Sequence, residues 1–377
     1  MPALPATFND FLGNSTAIEH LRTAIAAGRL PHSLILAGPS GAGKYTLALM
    51  LAMAVECERQ PRDLWSNGQS LASFCGVCHN CTRIASAAHL EDEVDKAVAV
   101  REELREVDKK DTRVLIQPHP DVLIIPPDPP QNLIKIAQVR QVIHNAYYRP
   151  PVEAKRSIFL FTSSAFMKEA ANSLLKVLEE PPPNCTLILL SENPGELLPT
   201  IRSRSMVFSL SALPVEEVER YLANTRPEWK QAQRALVARL SEGALGRART
   251  FDVDAYVAAR GNALTILNSA LLGGEHTALF KITESYRPGA EGREKTEQLL
   301  RTLYSLLRDL MFLGSGAPEM VQNTDIQREL SRLAEAADFD WIAAASDRLA
   351  EVERGMRRNL LRSLSLDALS LALEKVI

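Results

Sequence analysis

The chain reads as an α/β protein: a phosphate-loop module with a parallel sheet, then a small helical segment, then an all-α C-terminal domain. Three observations predict this. Residues 38–46, Gly-Pro-Ser-Gly-Ala-Gly-Lys-Tyr-Thr, lie between a short apolar run (33–37) and a strong helix former (45–57), the order that a G-x-x-x-x-G-K-[ST] loop requires. Apolar runs and helical periodicities then alternate to about residue 210, which implies crossover connections and a mainly parallel sheet covered on both faces. Past that point the strand signals fade and helical spacing takes over.

The elements follow in order. Ser33 to Ala37 is the first strand, and Tyr45 to Cys57 the helix after the loop. Glu91 to Arg113 is densely charged and lacks Gly and Pro, which predicts a solvated helical excursion; the competing reading is a binding surface. Val122 to Ile125 reads as a buried strand ended by Pro126 and Pro127. Ile134 to Tyr147 shows helical spacing at Ile136, Val139, Val142 and Ile143. Ser157 to Phe161 is the next strand, Lys168 to Glu180 a helix stopped by Pro181-Pro182-Pro183, and Thr186 to Leu190 a further strand. Pro214 to Leu240 and Ala244 to Phe251 predict a small helical subdomain. From about Tyr256 to Ile377 the pattern is helical, with one apolar stripe at Leu303, Leu306, Leu307 and Leu310 and another at Leu360, Leu361, Leu364, Ala368 and Leu371. Such stripes serve a bundle core or an oligomerisation surface alike. The expected boundaries are 1–210, 211–255 and 256–377.

The loop carries the chemistry and also a defect. Gly38, Gly41 and Gly43 let backbone N–H groups close around phosphates, and Lys44 reaches toward the β/γ-phosphates. The next residue should offer a hydroxyl to Mg²⁺, but it is Tyr45. Thr46 stands one helical step, about 100°, further round. The strand Ser157 to Phe161 runs into Thr162-Ser163-Ser164-Ala165, where an ATPase of this architecture keeps the acids that hold metal and polarise water. No carboxylate stands in that stretch. The expected loop holds phosphate poorly, with ATP or ADP binding weak or absent and hydrolysis lost.

Cys75, Cys78 and Cys81 are spaced as metal ligands, with Cys57 upstream at the end of the loop helix. In a cytosolic chain such a set reads as metal-binding before disulfide. Four thiolates complete a closed tetrahedral structural Zn²⁺ site. The competing reading is a group of reduced, partly buried thiols. Cys185, alone before a strand, is expected in the core. The formal net charge of −3 over 377 residues excludes the general basic excess of a free-standing DNA binder. The longest apolar run, Leu47 to Val55, falls short of the roughly 20 residues of a membrane span. The expectation is a cytoplasmic protein with no membrane contact.

A series of motifs now carries a resemblance. Phe8-x2-Phe11-Leu12-Gly13, Arg29-Leu30-Pro31-His32, the loop, the four cysteines and His119-Pro120-Asp121 come in sequence. They are followed by Asn172-x-Leu174-Leu175-Lys176-x-Leu178-Glu179-Glu180-Pro181-Pro182 and Ile201-Arg202-Ser203-Arg204-Ser205. This order resembles the bacterial DNA polymerase III clamp-loader subunits, closely over residues 8–210, and Arg358-Asn359 with the following leucines resembles the end of that family's collar domain. The resemblance implies an AAA+ module with a zinc-binding insert, a helical lid and a helical collar. The degenerate loop and missing acids resemble the delta-prime type. The gamma or tau motor type keeps an intact hydroxyl and an Asp-Glu pair.

The resemblance also implies partners: gamma/tau and delta subunits, the sliding clamp, and primed DNA through the assembled complex. Arg204 is expected as an arginine finger acting on a neighbour's ATP, its competing reading being a surface ion pair. Two departures stand out. The Cys57 to Cys75 interval is longer than the family's, and Ser205 replaces the usual cysteine. In the lid, Gly246 takes the place of the motor's nucleotide-sensing arginine, and Arg247, displaced by one, is expected to be a solvated helix charge. Two other readings are an ATP-hydrolysing motor, favoured by Lys44, and a zinc-containing DNA-binding protein. The second lacks an aromatic-basic stripe to support it.

Overall fold

A computed structural model describes residues 4–64, 68–105, 112–148, 155–273, 290–356, 369 and 373. It forms two compact units, residues 1–213 with 244–246, and residues 214–243 with 247–377.

In the first unit the strands are β1 (Ser33–Ala37), β2 (Arg62–Leu64), β3 (Ser70–Ala72), β4 (Ile116–His119), β5 (Val122–Ile125), β6 (Ser157–Phe161), β7 (Cys185–Ser191) and β8 (Met206–Ser209). The helices are α1 (Ser15–Ala26), α2 (Lys44–Glu56), α3 (His79–Ala85), α4 (Leu90–Glu102), α5 (Ile136–Tyr148), α6 (Lys168–Glu179) and the single turn α7 (Pro199–Arg202). The main sheet runs β4-β5-β6-β7-β1-β8. Its pairs are parallel except β4 with β5. The apolar runs explain how one sheet serves two cores, because successive side chains point to opposite faces. Leu34, Leu36, Ile158, Leu160, Ile188 and Leu190 pack with α1 and α2. The alternate residues Ile35, Phe159, Phe161, Leu187 and Leu189 pack with α5 and α6. Helix α2 is buried from Leu47 to Glu56, as expected of a helix apolar all round.

Three local features stand outside the sequence expectations, and one expectation is corrected in part. Strand β4 contains Pro118 and a register shift, so it shows no clean alternation in sequence. Strand β8 is an edge strand whose residues are largely exposed, so no buried face marks it. The cysteine segment holds a two-stranded antiparallel hairpin, β2 with β3. The charged helix buries none of its residues, as expected of a solvated excursion, but it stops at Glu102, and Arg101 is held: its Nη1 lies 2.7 Å from the buried Asp128 carboxylate, which Lys135 approaches at 3.3 Å. Residues 106–111 of that segment lie outside the described residues.

The second unit is helical: α8 (Val215–Thr225), α9 (Gln231–Leu240), α10 (Leu245–Arg249, shared at its start with the first unit), α11 (Val253–Leu272), α12 (Ala290–Gly314), α13 (Gln327–Ala334) and α14 (Phe339–Met356). The break between α8 and α9 contains Pro227, which cannot continue a helix beyond its first turn. Leu303, Leu306, Leu307 and Leu310 are buried together in one core with α11, α13 and α14. Asp309 stitches this core to the chain that follows. Its carboxylate accepts from the backbone N–H groups of Gln322 and Asn323 and from Asn323 Nδ2 at 2.8–2.9 Å. The stripe from Leu360 to Leu371, with Arg358 and Asn359, lies outside the described residues.

Candidate functional site

Strand β1 delivers the chain into the loop, and α2 begins at Lys44. Gly38 N–H donates to Ser191 O, tying the loop's start to the end of β7. Gly43 caps α2 with φ of 86°, and a Cβ there would stand 2.8 Å from the Phe11 ring. A side chain at that position would meet both a strained backbone and an aromatic wall. Phe11 of the Phe8-x2-Phe11 motif thereby acquires a physical role as the backing of the loop, while Phe8 packs edge-on against Phe74.

The loop's functional groups are engaged within the chain. Lys44 Nζ donates to Gly38 O at 2.6 Å and Pro39 O at 2.8 Å. Burial holds its pKa below the ordinary lysine value, with Glu192 opposing that shift. Gly246 N–H donates to Gly41 O at 2.8 Å, and a Cβ at Gly246 would sit 2.9 Å from that carbonyl. Glycine at 246 is what lets the segment seat on the loop. Thr46 is half-buried in the first turn of α2.

The Tyr45 hydroxyl is engaged away from the loop's own backbone. Its hydroxyl donates to Ala87 O at 2.6 Å, joining α2 to the cysteine-bearing insert. Burial, with Glu93 nearby, pushes its pKa well above the ordinary phenol value. Sequence reasoning missed two carboxylates. Glu192 follows β7 directly and acts on Lys44. Glu196 accepts from Ser164 Oγ at 2.9 Å, beside the strand end where no acid stands in sequence. The available signal was position, since loops after parallel strands converge at the carboxyl edge of such sheets.

The four cysteines are brought together: the Sγ atoms of Cys57, Cys75, Cys78 and Cys81 all lie within 4.8 Å of one another. Cys57 joins the set despite its long interval, because the β2–β3 hairpin folds the intervening chain back. The donor set fits a metal. Cys57 Sγ accepts from the N–H groups of Gln60 and Cys75, and Cys75 Sγ from that of Cys78, each at 3.3 Å. Burial raises the Cys75 thiol, but N–H donors from Val77 and Cys78 and the neighbouring thiols outweigh it and bring it to about 6. Burial pushes Cys81 well above the ordinary thiol value. These four residues could hold one soft cation as a closed structural site.

Glu56, His119 and Asp121 form a second buried group with ligand atoms within 4.8 Å. Here His119 Nδ1 accepts from Asp121 N–H at 3.1 Å, which leaves the proton on Nε2 and makes that atom a donor, not a ligand. Cys185 is buried in β7, as expected. Arg204 follows α7. Its Nη2 pairs with Glu179 Oε1 at 2.9 Å and its Nη1 donates to Thr200 O at 3.2 Å. Ser205 Oγ lies 2.7 Å from Ser33 Oγ and donates to Ile201 O, so the hydroxyl anchors the residue after Arg204 to β1. In the second unit Arg247 pairs with Glu242 at 3.0 Å and is exposed.

A glycine-lysine loop at the carboxyl edge of this sheet defines a P-loop module. The profile of the family described as DNA polymerase III, delta subunit, matches residues 13–117 and 100–214, more than half of the chain. The chain belongs to that family of clamp-loader subunits. Among curated proteins, the tau subunit of DNA polymerase III from Escherichia coli is 27% identical over 274 residues, covering 71% of this chain and 36% of its own length. The delta' subunit from Pseudomonas aeruginosa is 28% identical over 173 residues, 46% of this chain and 41% of that protein. The chain therefore spans about two-fifths or less of the length of these relatives. Among solved structures, a DNA polymerase III gamma subunit-related protein from Thermotoga maritima is 17% identical, with a TM-score of 0.32, covering 94% of this chain and 98% of that one.

Proposed function

We propose that the chain is a non-hydrolysing, delta-prime-type subunit of a DNA polymerase III clamp loader. In this role it supplies Arg204 in trans to the ATP of a neighbouring gamma/tau-type subunit. The observation that carries this is the state of its own loop. The side chain after Lys44 is committed to Ala87, Lys44 is committed to loop carbonyls, and Gly246 is seated on Gly41. Phosphoryl transfer is mostly positioning and charge stabilisation, and a loop whose groups are spent on its own chain supplies little of either.

The other parts follow from that role. Residues 1–210 are the nucleotide-binding-like module, residues 211–255 a lid, and residues 256–377 a collar that assembles with gamma/tau and delta subunits. The sliding clamp and primed DNA are met through the assembled complex, and the working compartment is the cytoplasm. Among the described residues no helix is long and apolar enough to cross a membrane. The four cysteines hold one structural Zn²⁺, remote in function from nucleotide chemistry. A guanidinium facing a neighbour's γ-phosphate contributes about 10³ to 10⁵ in rate, or roughly 4 to 7 kcal/mol. A surface ion pair by contrast contributes about 0 to 1 kcal/mol to stability.

Two observations favour a second reading, the ATP-hydrolysing motor: Lys44 is retained and the tau relative matches 71% of the chain. ATP turnover by the isolated chain separates the two. The expected result is no turnover with Mg²⁺ present. Turnover at the pace of an ordinary AAA+ motor, abolished by Lys44→Ala, assigns the chain to the motor class.

A further inference from the structure

The run Glu179-Glu180-Pro181-Pro182 ends α6, and the function proposed above leaves it without a task. The structure gives Glu179 one. Its carboxylate grips the Nη2 edge of Arg204, while Thr200 O holds Nη1 at 3.2 Å and Ser203 Oγ lies 3.4 Å from it. The platform under Glu179 is rigid. Helix α6 buries Ala170, Ala171, Leu174, Val177 and Leu178, and the Tyr147 hydroxyl donates to Glu180 O at 2.6 Å just beyond its end. The prolines that follow cannot extend the helix. A helix C-terminus also carries partial negative charge, which favours a guanidinium beside it.

The backbone around Arg204 is fixed separately, through Ser205 to Ser33 and Ile201. What remains to be ordered is a long, rotamer-rich side chain, and ordering it at the moment of reaction would slow the step it assists. We infer that Glu179 is a positioning residue, holding the Arg204 guanidinium in the orientation from which it meets the neighbouring subunit's nucleotide. This rests on the trans-acting reading of Arg204. The opposite arrangement, a carboxylate that sequesters the arginine, predicts effects of opposite sign.

The test uses the reconstituted complex with its ATP-hydrolysing neighbours, comparing Glu179→Ala, Glu179→Gln, Arg204→Ala and the Glu179→Ala/Arg204→Ala double variant. Both pair members are half-exposed, so the effect has the size of a surface ion pair. Glu179→Ala is expected to lower kcat about two- to five-fold at unchanged KM for ATP. Glu179→Gln, which keeps an acceptor, should restore most of the rate. The double variant should be no slower than Arg204→Ala alone, because Glu179 acts through the arginine. An unchanged or faster Glu179→Ala, a Gln variant as slow as the Ala variant, or an additive loss in the double variant overturns the inference. If Arg204→Ala itself has no effect, the reading beneath it fails instead.

Discussion

At the scale of single residues, Tyr45 and Arg204 are each engaged by groups of their own chain, Tyr45 through Ala87 O and Arg204 through Glu179. Tyr45 occupies the metal-hydroxyl position, yet its oxygen serves the insert through Ala87. Tyr45→Phe should lower stability by about 1 kcal/mol, the usual net contribution of such a hydrogen bond, and leave nucleotide affinity unchanged; denaturant titration with a nucleotide-binding control checks both. The pH dependence has a definite sign. A phenol whose pKa is raised on folding contributes stability that is complete below the ordinary value of 10.0 and is lost as pH rises through the folded value. The parent should therefore lose more stability above about pH 10 than Tyr45→Phe does. The glycines, Lys44 and the cysteines were legible from residue type and spacing. Glu192, Glu196 and Glu179 were not, because each acts across the fold: Glu179 meets Arg204 only after the β7 crossover returns the chain beside α6.

At the scale of elements, apolar runs identified β1, β5, β6 and β7, since strands buried on both faces carry near-continuous hydrophobic sequence. Strands β4 and β8 escaped because edges do not bury two faces; Met206 and Val207 are 54% and 46% exposed. The charged stretch was misjudged at its end, because Arg101 has a buried carboxylate partner that local sequence cannot show. The cysteine insert is the element that a bound metal would order, at its exposed hairpin, although Phe74, Cys81, Ile84 and Ala87 are buried in the main core. Its hairpin strand β2 is wholly exposed, so burial supplies little of its stability. Purified protein should contain one zinc per chain by metal analysis. Chelation, or Cys78→Ser with Cys81→Ser, should open residues 57–88 to proteolysis while leaving the main sheet intact. Zinc uptake should weaken as pH falls, because each of the four thiols must give up its proton to bind the metal. Absence of zinc at neutral pH, or an insert equally resistant without its thiols, would remove the metal site.

At the scale of the whole molecule, a P-loop module with its own loop internally occupied is joined in one chain to a helical unit, and each has a core of its own. The proposed role is to present a surface to a neighbour rather than to turn over nucleotide. The most direct test is the DNA-stimulated ATPase of the complete reconstituted complex carrying either Lys44→Ala or Arg204→Ala in this chain, with assembly verified by mass. Lys44→Ala should leave the rate unchanged. Arg204→Ala should lower ATP hydrolysis and clamp loading by about 10³-fold or more at the site it serves, with poor rescue by Arg204→Lys, because an ammonium cannot reproduce the planar fork. A complex that assembles normally, keeps its rate with Arg204→Ala and loses it with Lys44→Ala would contradict the account: the chain would then hydrolyse ATP itself, and Arg204 would be a surface charge.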